Sequence, residues 1–254
     1  MYHPPVDYIN NLKSRITEAL KNPKTHPIAA FDADGTLWFS DVGRDFFEFQ
    51  IKHNYFPQNK TYTWDDYKKI EDQGIEKGLT WLGQILATEK LTELRKRVSQ
   101  FQKEYPPVYV DAQKEIIKFL KASGVRVIIV TASISWTIEA AALEFDIPPE
   151  DIIGIRTYLD EGDVITDKIH YPISWAEGKV DALLEVTDGK KPFFVSGNTS
   201  SDVPLIEISS DIQLVVHGSD PTGLVYDSEL KALKLAKERN WDYFDYINQN
   251  VPER

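Results

Sequence analysis

The chain has 254 residues, 42% hydrophobic and 27% charged, which suits one large folded domain, or a core with a smaller insertion, and a substantial apolar interior. A formal net charge of −11 argues against broad nucleic-acid binding, which rests on clustered Lys and Arg, and leaves an anionic ligand in need of local positive charge or a metal. The absence of cysteine excludes disulfides, thiolate metal sites and Cys nucleophiles. No apolar run reaches membrane-spanning length and the N-terminus lacks a signal-peptide core, so a cytoplasmic protein without membrane partners is expected.

Ile9, Leu12, Ile16 and Leu20 recur at helical spacing, and Asn22-Pro23 ends that helix. Ile28 to Phe31 reads as a short buried strand. Residues 40–108 lack strong strand patterns, look helical in pieces and are rich in aromatics, with Pro106-Pro107 at their end; they are the candidate inserted domain. Residues 1–39 and 109–254 then form the core. Beyond the insertion the pattern alternates. Ala112 to Ala122 suits a helix, Val125 to Val130 a buried strand and Ser135 to Phe145 a helix. "IIGIRTYLDEGDVITDKI" alternates with period two around Glu161-Gly162 and predicts a hairpin. Ser174 to Glu177 has capping-box spacing, predicting a helix from about Trp175. Phe193 to Val195 and Gln213 to Val216 predict two further strands, and Glu229 to Glu238 a final helix.

Strand-helix alternation predicts an α/β fold: a Rossmann-like parallel sheet covered by helices, with an inserted α-helical cap. Ligands in such sheets bind beyond the carboxyl ends of the strands. Asp32, Thr131 and Asn198 each follow a predicted strand, so their loops converge on one edge.

Asp32 and Asp34 lie two positions apart beside Gly35. A carboxylate can attack phosphorus to form an aspartyl-phosphate. A second carboxyl can protonate the leaving alkoxide and then take a proton from water. Taken alone, the pair also suits a turn that uses Asp for local hydrogen bonds. Thr131 and the backbone N–H groups after it, from Ala132 on, can hold phosphate at a helix N-terminus, or Thr131 can be a plain turn residue. Lys179 on its helix can face water, or can neutralise a phosphate approaching Asp32. That need is real, since two unit charges 4 Å apart interact by about 4 kcal/mol at an effective dielectric of 20. Asp202 can be a helix cap, or can join Asn198 in an oxygen-ligand site for Mg²⁺.

The order of these signals carries more than each alone. "DADGT", "VIIVTAS", Lys179 within "AEGKVDALL", and "SGNTSSDVPLI" together resemble the haloacid dehalogenase-like hydrolase superfamily over nearly the whole chain. The resemblance implies an Mg²⁺-dependent aspartyl nucleophile. Asp32 would be nucleophile and metal ligand. Asp34 would be the general acid/base, with its backbone carbonyl on the metal. Thr131, Ala132 and Lys179 would hold phosphate, and Asp202 would support or ligate the metal. The family usually carries Asp where Asn198 stands, so metal affinity is expected to be lower.

An insertion between the first and second motifs is similar to the phosphoserine phosphatase-like branch. Asp41, nine residues after Asp32, matches an acid that meets a substrate amine there, and Arg97 in "LRKRVS" a residue that meets a substrate carboxylate. Arg97 also suits a solvated basic helix face. The aromatics suit the core of the cap, while a subset near Trp38 and Asp41 suits a cage for a quaternary ammonium. The expected activity is a phosphatase for a small phosphomonoester such as phosphoserine, phosphocholine or phosphoethanolamine. A catalytically weak binding or regulatory protein, a phosphomutase and a dehalogenase are the competing readings; Asp34 argues against the last.

Overall fold

In the computed structural model, residues 3–252 are described; the outermost residues of the expected core, 1–2 and 253–254, lie outside them. Strands β1 (Ile28–Phe31), β2 (Arg126–Ile134), β3 (Ile152–Ile155), β6 (Phe194–Gly197), β7 (Ile212–His217) and β8 (Asp242–Asp245) form one six-stranded sheet. Its order is β3-β2-β1-β6-β7-β8, and every neighbouring pair is parallel. The chain leaves β1 in one direction to β2 and β3, then returns on the other side to β6, β7 and β8. The crevice where direction reverses lies beyond the ends of β1 and β6, where parallel sheets bind ligands.

The central strands are apolar because both faces are covered. Ala29 and Phe31 face α1 (Val6–Lys21) and α6 (Asp111–Ala122), packing with Leu12, Ile16, Ile116 and Leu120. Ile28 and Ala30 face α8 (Glu177–Val186), α9 (Val203–Glu207) and α10 (Tyr226–Glu238), packing with Leu183, Leu205 and Ala232.

Within 40–108 lie α2 (Val42–His53), α3 (Trp64–Glu71), α4 (Ile75–Gln84) and α5 (Leu91–Glu104). Asp41 caps α2 by accepting the Arg44 N–H at 3.0 Å, and Thr63 with Asp66 forms a capping box on α3. The aromatics are largely structural. Phe47 packs against Phe56, Trp64, Tyr67 and Trp81, and Phe46 and Phe49 against Phe101.

Several sequence expectations need correction. "IIGI" belongs to the main sheet as β3, while only β4 (Thr157–Asp160) and β5 (Val164–Ile169) form the hairpin. That hairpin bonds to the inserted helices through Thr88 N–H on Ile165 O and Leu91 N–H on Asp163 O. Strand β2 runs on to Ile134, with a register shift against β3 after Val130. Thr131 and Ala132 therefore lie in extended chain, and α7 (Ser135–Ala142) starts only beyond them. Helix α8 begins at Glu177 and has no capping box, because the Ser174 hydroxyl donates instead to Thr131 O at 2.6 Å. Strand β8 escaped notice because it begins and ends in Asp. Asp242 is satisfied by Arg15 and Tyr8, and Asp245 by His217 and Asn248.

Candidate active site

Asp32 directly follows β1 and is 5% exposed. Its N–H extends the sheet by donating to Ser196 O at 2.9 Å, which fixes the direction of its side chain. Gly35 then turns the chain at φ +80°, a region that favours glycine. The Asp32 carboxylate accepts from Lys179 Nζ through Oδ1 at 2.5 Å and from Thr36 Oγ1 through Oδ2 at 3.2 Å.

Lys179 does not face water. It is 2% exposed and also donates to Asp202 Oδ1 at 2.6 Å. The adjoining Gly178 lets the chain pass close to Ile173, since a Cβ there would lie 1.9 Å from Ile173 O. Burial works against the ammonium's charge, but Asp202 and Asp32 outweigh it and hold Lys179 above its ordinary range. Asp202 likewise ionises against burial, held below its ordinary range by Lys179 and the Thr199 donors.

Asp34 reaches the same crevice. Its Oδ1 accepts from Trp38 Nε1 at 2.7 Å and Val42 N–H at 2.8 Å, and its Oδ2 from Ser133 Oγ at 2.6 Å. Burial, then the negative charge of Asp41, pushes Asp34 up to about 7 against those three donors. Burial, then Asp202, pushes Asp32 up to about 7 against the pull of Lys179.

Asn198 follows β6. Its Oδ1 accepts from Thr36 Oγ1 at 3.3 Å, so one hydroxyl spans the Asn198 carbonyl and Asp32 Oδ2. Its Nδ2 donates to Glu229 Oε1 at 2.8 Å. The converging oxygens are hard donors, and Mg²⁺ takes few carboxylates and keeps several waters. Asp32 and the Asn198 carbonyl fit that demand. Among the described residues no cluster of three or more His, Cys, Asp or Glu stands ready to hold a metal. Asp202 is engaged on both oxygens, Oδ1 by Lys179 and Oδ2 by Thr199 and the Asn198 N–H. That suits support from behind the site.

A cavity of about 190 Å³ opens onto these groups. Asp32, Asp34, Asp41, Thr131, Ala132, Lys179, Asn198 and Asp202 all line it. Arg97 does not. It is drawn to Glu89 Oε1 at 2.5 Å and to Tyr55 O at 3.1 Å, away from the cavity. Trp38 does not line it either: the indole lies fully buried against Tyr109 and Phe145, so no ammonium cage forms around it. Ser133, Arg44 and Glu229 are among the cavity or supporting residues that the sequence pattern does not single out. Ser133 was within reach, being part of "VIIVTAS". Arg44 sits in the first turn of α2, where nothing marks it apart from other basic residues. Glu229 is 31 residues along the chain from Asn198.

Asp45 on α2 stays open to solvent on one side, and its partial burial, then Asp34 and Glu48, pushes it up to about 6. Folding raises its affinity for a proton, so ionising it lowers stability as pH climbs from 3.8 past about 6. Asp45→Asn should raise the melting temperature modestly at neutral pH, with the gain shrinking as pH falls through that window. A gain equal at both ends would remove the electrostatic cause.

A model of the haloacid dehalogenase-like hydrolase family matches residues 29–207. None of the curated proteins matches the sequence. Among solved structures, a protein of unknown function from Bordetella pertussis Tohama I aligns with TM-score 0.69 at 22% identity, covering 87% of this chain and 99% of that one. A functionally unknown protein from Anaerococcus prevotii aligns with TM-score 0.64 at 16% identity, covering 88% and 86%. A phospho-aspartyl intermediate analogue of phosphoserine phosphatase aligns with TM-score 0.50 at 14% identity, covering 77% and 88%. At these identities the structures speak to fold alone. With the family match spanning most of the chain, and the motif residues of that span gathered on one cavity, the chain belongs to the haloacid dehalogenase-like hydrolases.

Proposed function

We propose that this hydrolase is an Mg²⁺-dependent phosphatase of a small phosphomonoester, working through an aspartyl-phosphate on Asp32. One observation carries the reading. A buried carboxylate paired with Lys179 shares a cavity with a second carboxyl, Asp34, held near neutral pKa.

In this reading Lys179 and the Thr131–Ala132 backbone hold the phosphate against Asp32. An Asp32 oxygen attacks phosphorus and the bond to the ester oxygen breaks. Asp34 gives its proton to the departing alkoxide. The Asp34 carboxylate then takes a proton from water, which attacks phosphorus and releases phosphate from Asp32. Mg²⁺ would be held by Asp32, the Asp34 backbone carbonyl and Asn198, with Asp202 behind, and would supply positive charge against the phosphate. Residues 40–108 act as the cap over the cavity.

The cap's polar contribution points to the substrate class. Arg44 lines the cavity with Asp41, yet its nearest carboxylate oxygens are Glu71 Oε1 at 3.5 Å and Asp41 Oδ2 at 3.8 Å. The guanidinium lies over the Trp64 and Tyr67 rings at 5.8 and 5.7 Å, and in this reading it turns from them to a substrate carboxylate, with Asp41 meeting an amine. This favours a phosphorylated amino acid such as phosphoserine. A cation inside the cavity disfavours phosphocholine and phosphoethanolamine, which carry no carboxylate to offset it.

The test is phosphate release from these three esters, a sugar phosphate and p-nitrophenyl phosphate, with Mg²⁺ and with EDTA. Release should require Mg²⁺ and favour phosphoserine. Arg44→Ala should lower kcat/KM for phosphoserine about tenfold or more, the worth of one hydrogen bond between charged groups, and spare p-nitrophenyl phosphate. Arg97→Ala should leave selectivity unchanged, since Glu89 and Tyr55 are its partners. No release from any ester with any divalent metal would sink the reading.

A further inference from the structure

We propose that Glu229 is a positioning residue for the metal site: it turns the Asn198 carbonyl toward Asp32 and supplies the negative charge that Asn198 lacks. This inference rests on the Mg²⁺-dependent reading above.

Glu229 lies on α10 and is 0% exposed. Its Oε1 accepts from Asn198 Nδ2 at 2.8 Å and Ser219 Oγ at 2.7 Å. Its Oε2 accepts from the N–H groups of Gly218 at 3.0 Å and Ser219 at 2.9 Å. All four donors are neutral, and among the described residues no Lys, Arg or His forms an ion pair with it. Four donors on two oxygens match the acceptor capacity of a carboxylate, and Asn198 is the donor that links it to Asp32 through Thr36.

The geometry fixes the amide. A carboxylate only accepts hydrogen bonds, so Asn198 must present its NH₂ to Glu229. Its Oδ1 then points the other way, toward the Thr36 hydroxyl that also meets Asp32. The loop carrying the nucleophile closes against this pair. A Cβ at Gly35 would stand 1.9 Å from Asn198 Nδ2 and 3.3 Å from Glu229 Oε1. Position 198 and position 229 are thereby linked. An Asp at 198 would set an acceptor oxygen against Glu229 Oε1 where an N–H now donates at 2.8 Å, so Asn is matched to Glu, and Asp would require a donor such as Gln there.

The experiment measures Mg²⁺ affinity by calorimetry on the full, substrate-free chain. It compares the unaltered protein with Glu229→Gln, Asn198→Asp and the double substitution, with folding checked by circular dichroism and melting in EDTA. Glu229→Gln should bind Mg²⁺ about tenfold to a hundredfold more weakly, the usual loss when support behind a ligand is removed. Asn198→Asp alone should melt lower, because it sets two acids against each other. Together the substitutions exchange the charge and should return affinity close to that of the unaltered protein. A merely structural role for Glu229 would give no such return. Unchanged affinity in Glu229→Gln, or losses that add in the double variant, would overturn the inference alone. Should Glu229→Gln fail to fold by itself, the doubly substituted chain still decides. No Mg²⁺ binding by the unaltered protein would overturn both this inference and the metal-dependent reading beneath it.

Discussion

Asp32→Asn is expected to abolish phosphate release while the chain still folds. The amide keeps an oxygen that can accept from Lys179, so the contact at 2.5 Å has a substitute. It loses the anionic oxygen that attacks phosphorus. A fall of at least about a thousandfold in kcat/KM is expected, or about 4 kcal/mol of transition-state stabilisation. The phosphate adduct that mass spectrometry should trap on the unaltered protein should be missing from the variant. The substitution should not lower the melting temperature of metal-free protein above neutral pH. Asp32 has its pKa raised on folding, from 3.8 to about 7, so its ionisation opposes folding across that window and costs most above it. Retained turnover in Asp32→Asn would move the chemistry to another group.

Lys179→Met is expected to damage both stability and activity. It leaves Asp32 and Asp202 buried without the cation between them. Removing one partner of a buried ion pair costs about 3–5 kcal/mol, because the remaining charge has no water to turn to. The sign with pH is fixed. The raised pKa of Lys179 means its contribution is fully present below 10.5, and so across the whole neutral range. In the variant both carboxylates should take up protons more readily, so acidification should recover part of the lost stability. A denaturant titration at two pH values measures this. A variant as stable as the unaltered protein at neutral pH would mean that the network is relaxed by water.

Much of the site was legible because its residues follow strands. Asp32, Thr131 and Asn198 stand just beyond or at the ends of apolar runs, and a parallel sheet brings such positions to one edge. Lys179 was legible only through its neighbours, since helix periodicity alone favours a solvent-facing lysine. Asp32 and Asp202 hold it inward, and Gly178 lets the helix start pass close to Ile173. Arg97 shows the opposite limit. A basic residue in a helical insertion looked able to meet a substrate carboxylate, yet Glu89, eight residues earlier, satisfies it. Which of several cations reaches the cavity is decided by how helices pack, and local pattern carries no such information.

The sequence by itself determined the fold class, the core strands β1, β2, β6 and β7, and the oxygen-rich chemistry at their ends. Apolar runs, breakers and closely spaced carboxylates are local properties and survive reading along one dimension. Only the tertiary structure decided the rest. It placed β3 in the main sheet and hid β8 behind charges that find partners far along the chain. It brought Arg44 rather than Arg97 to the cavity. It set Glu229 against Asn198 across 31 residues of chain. Hydrogen bonds and ion pairs between distant elements depend on where the core packs those elements.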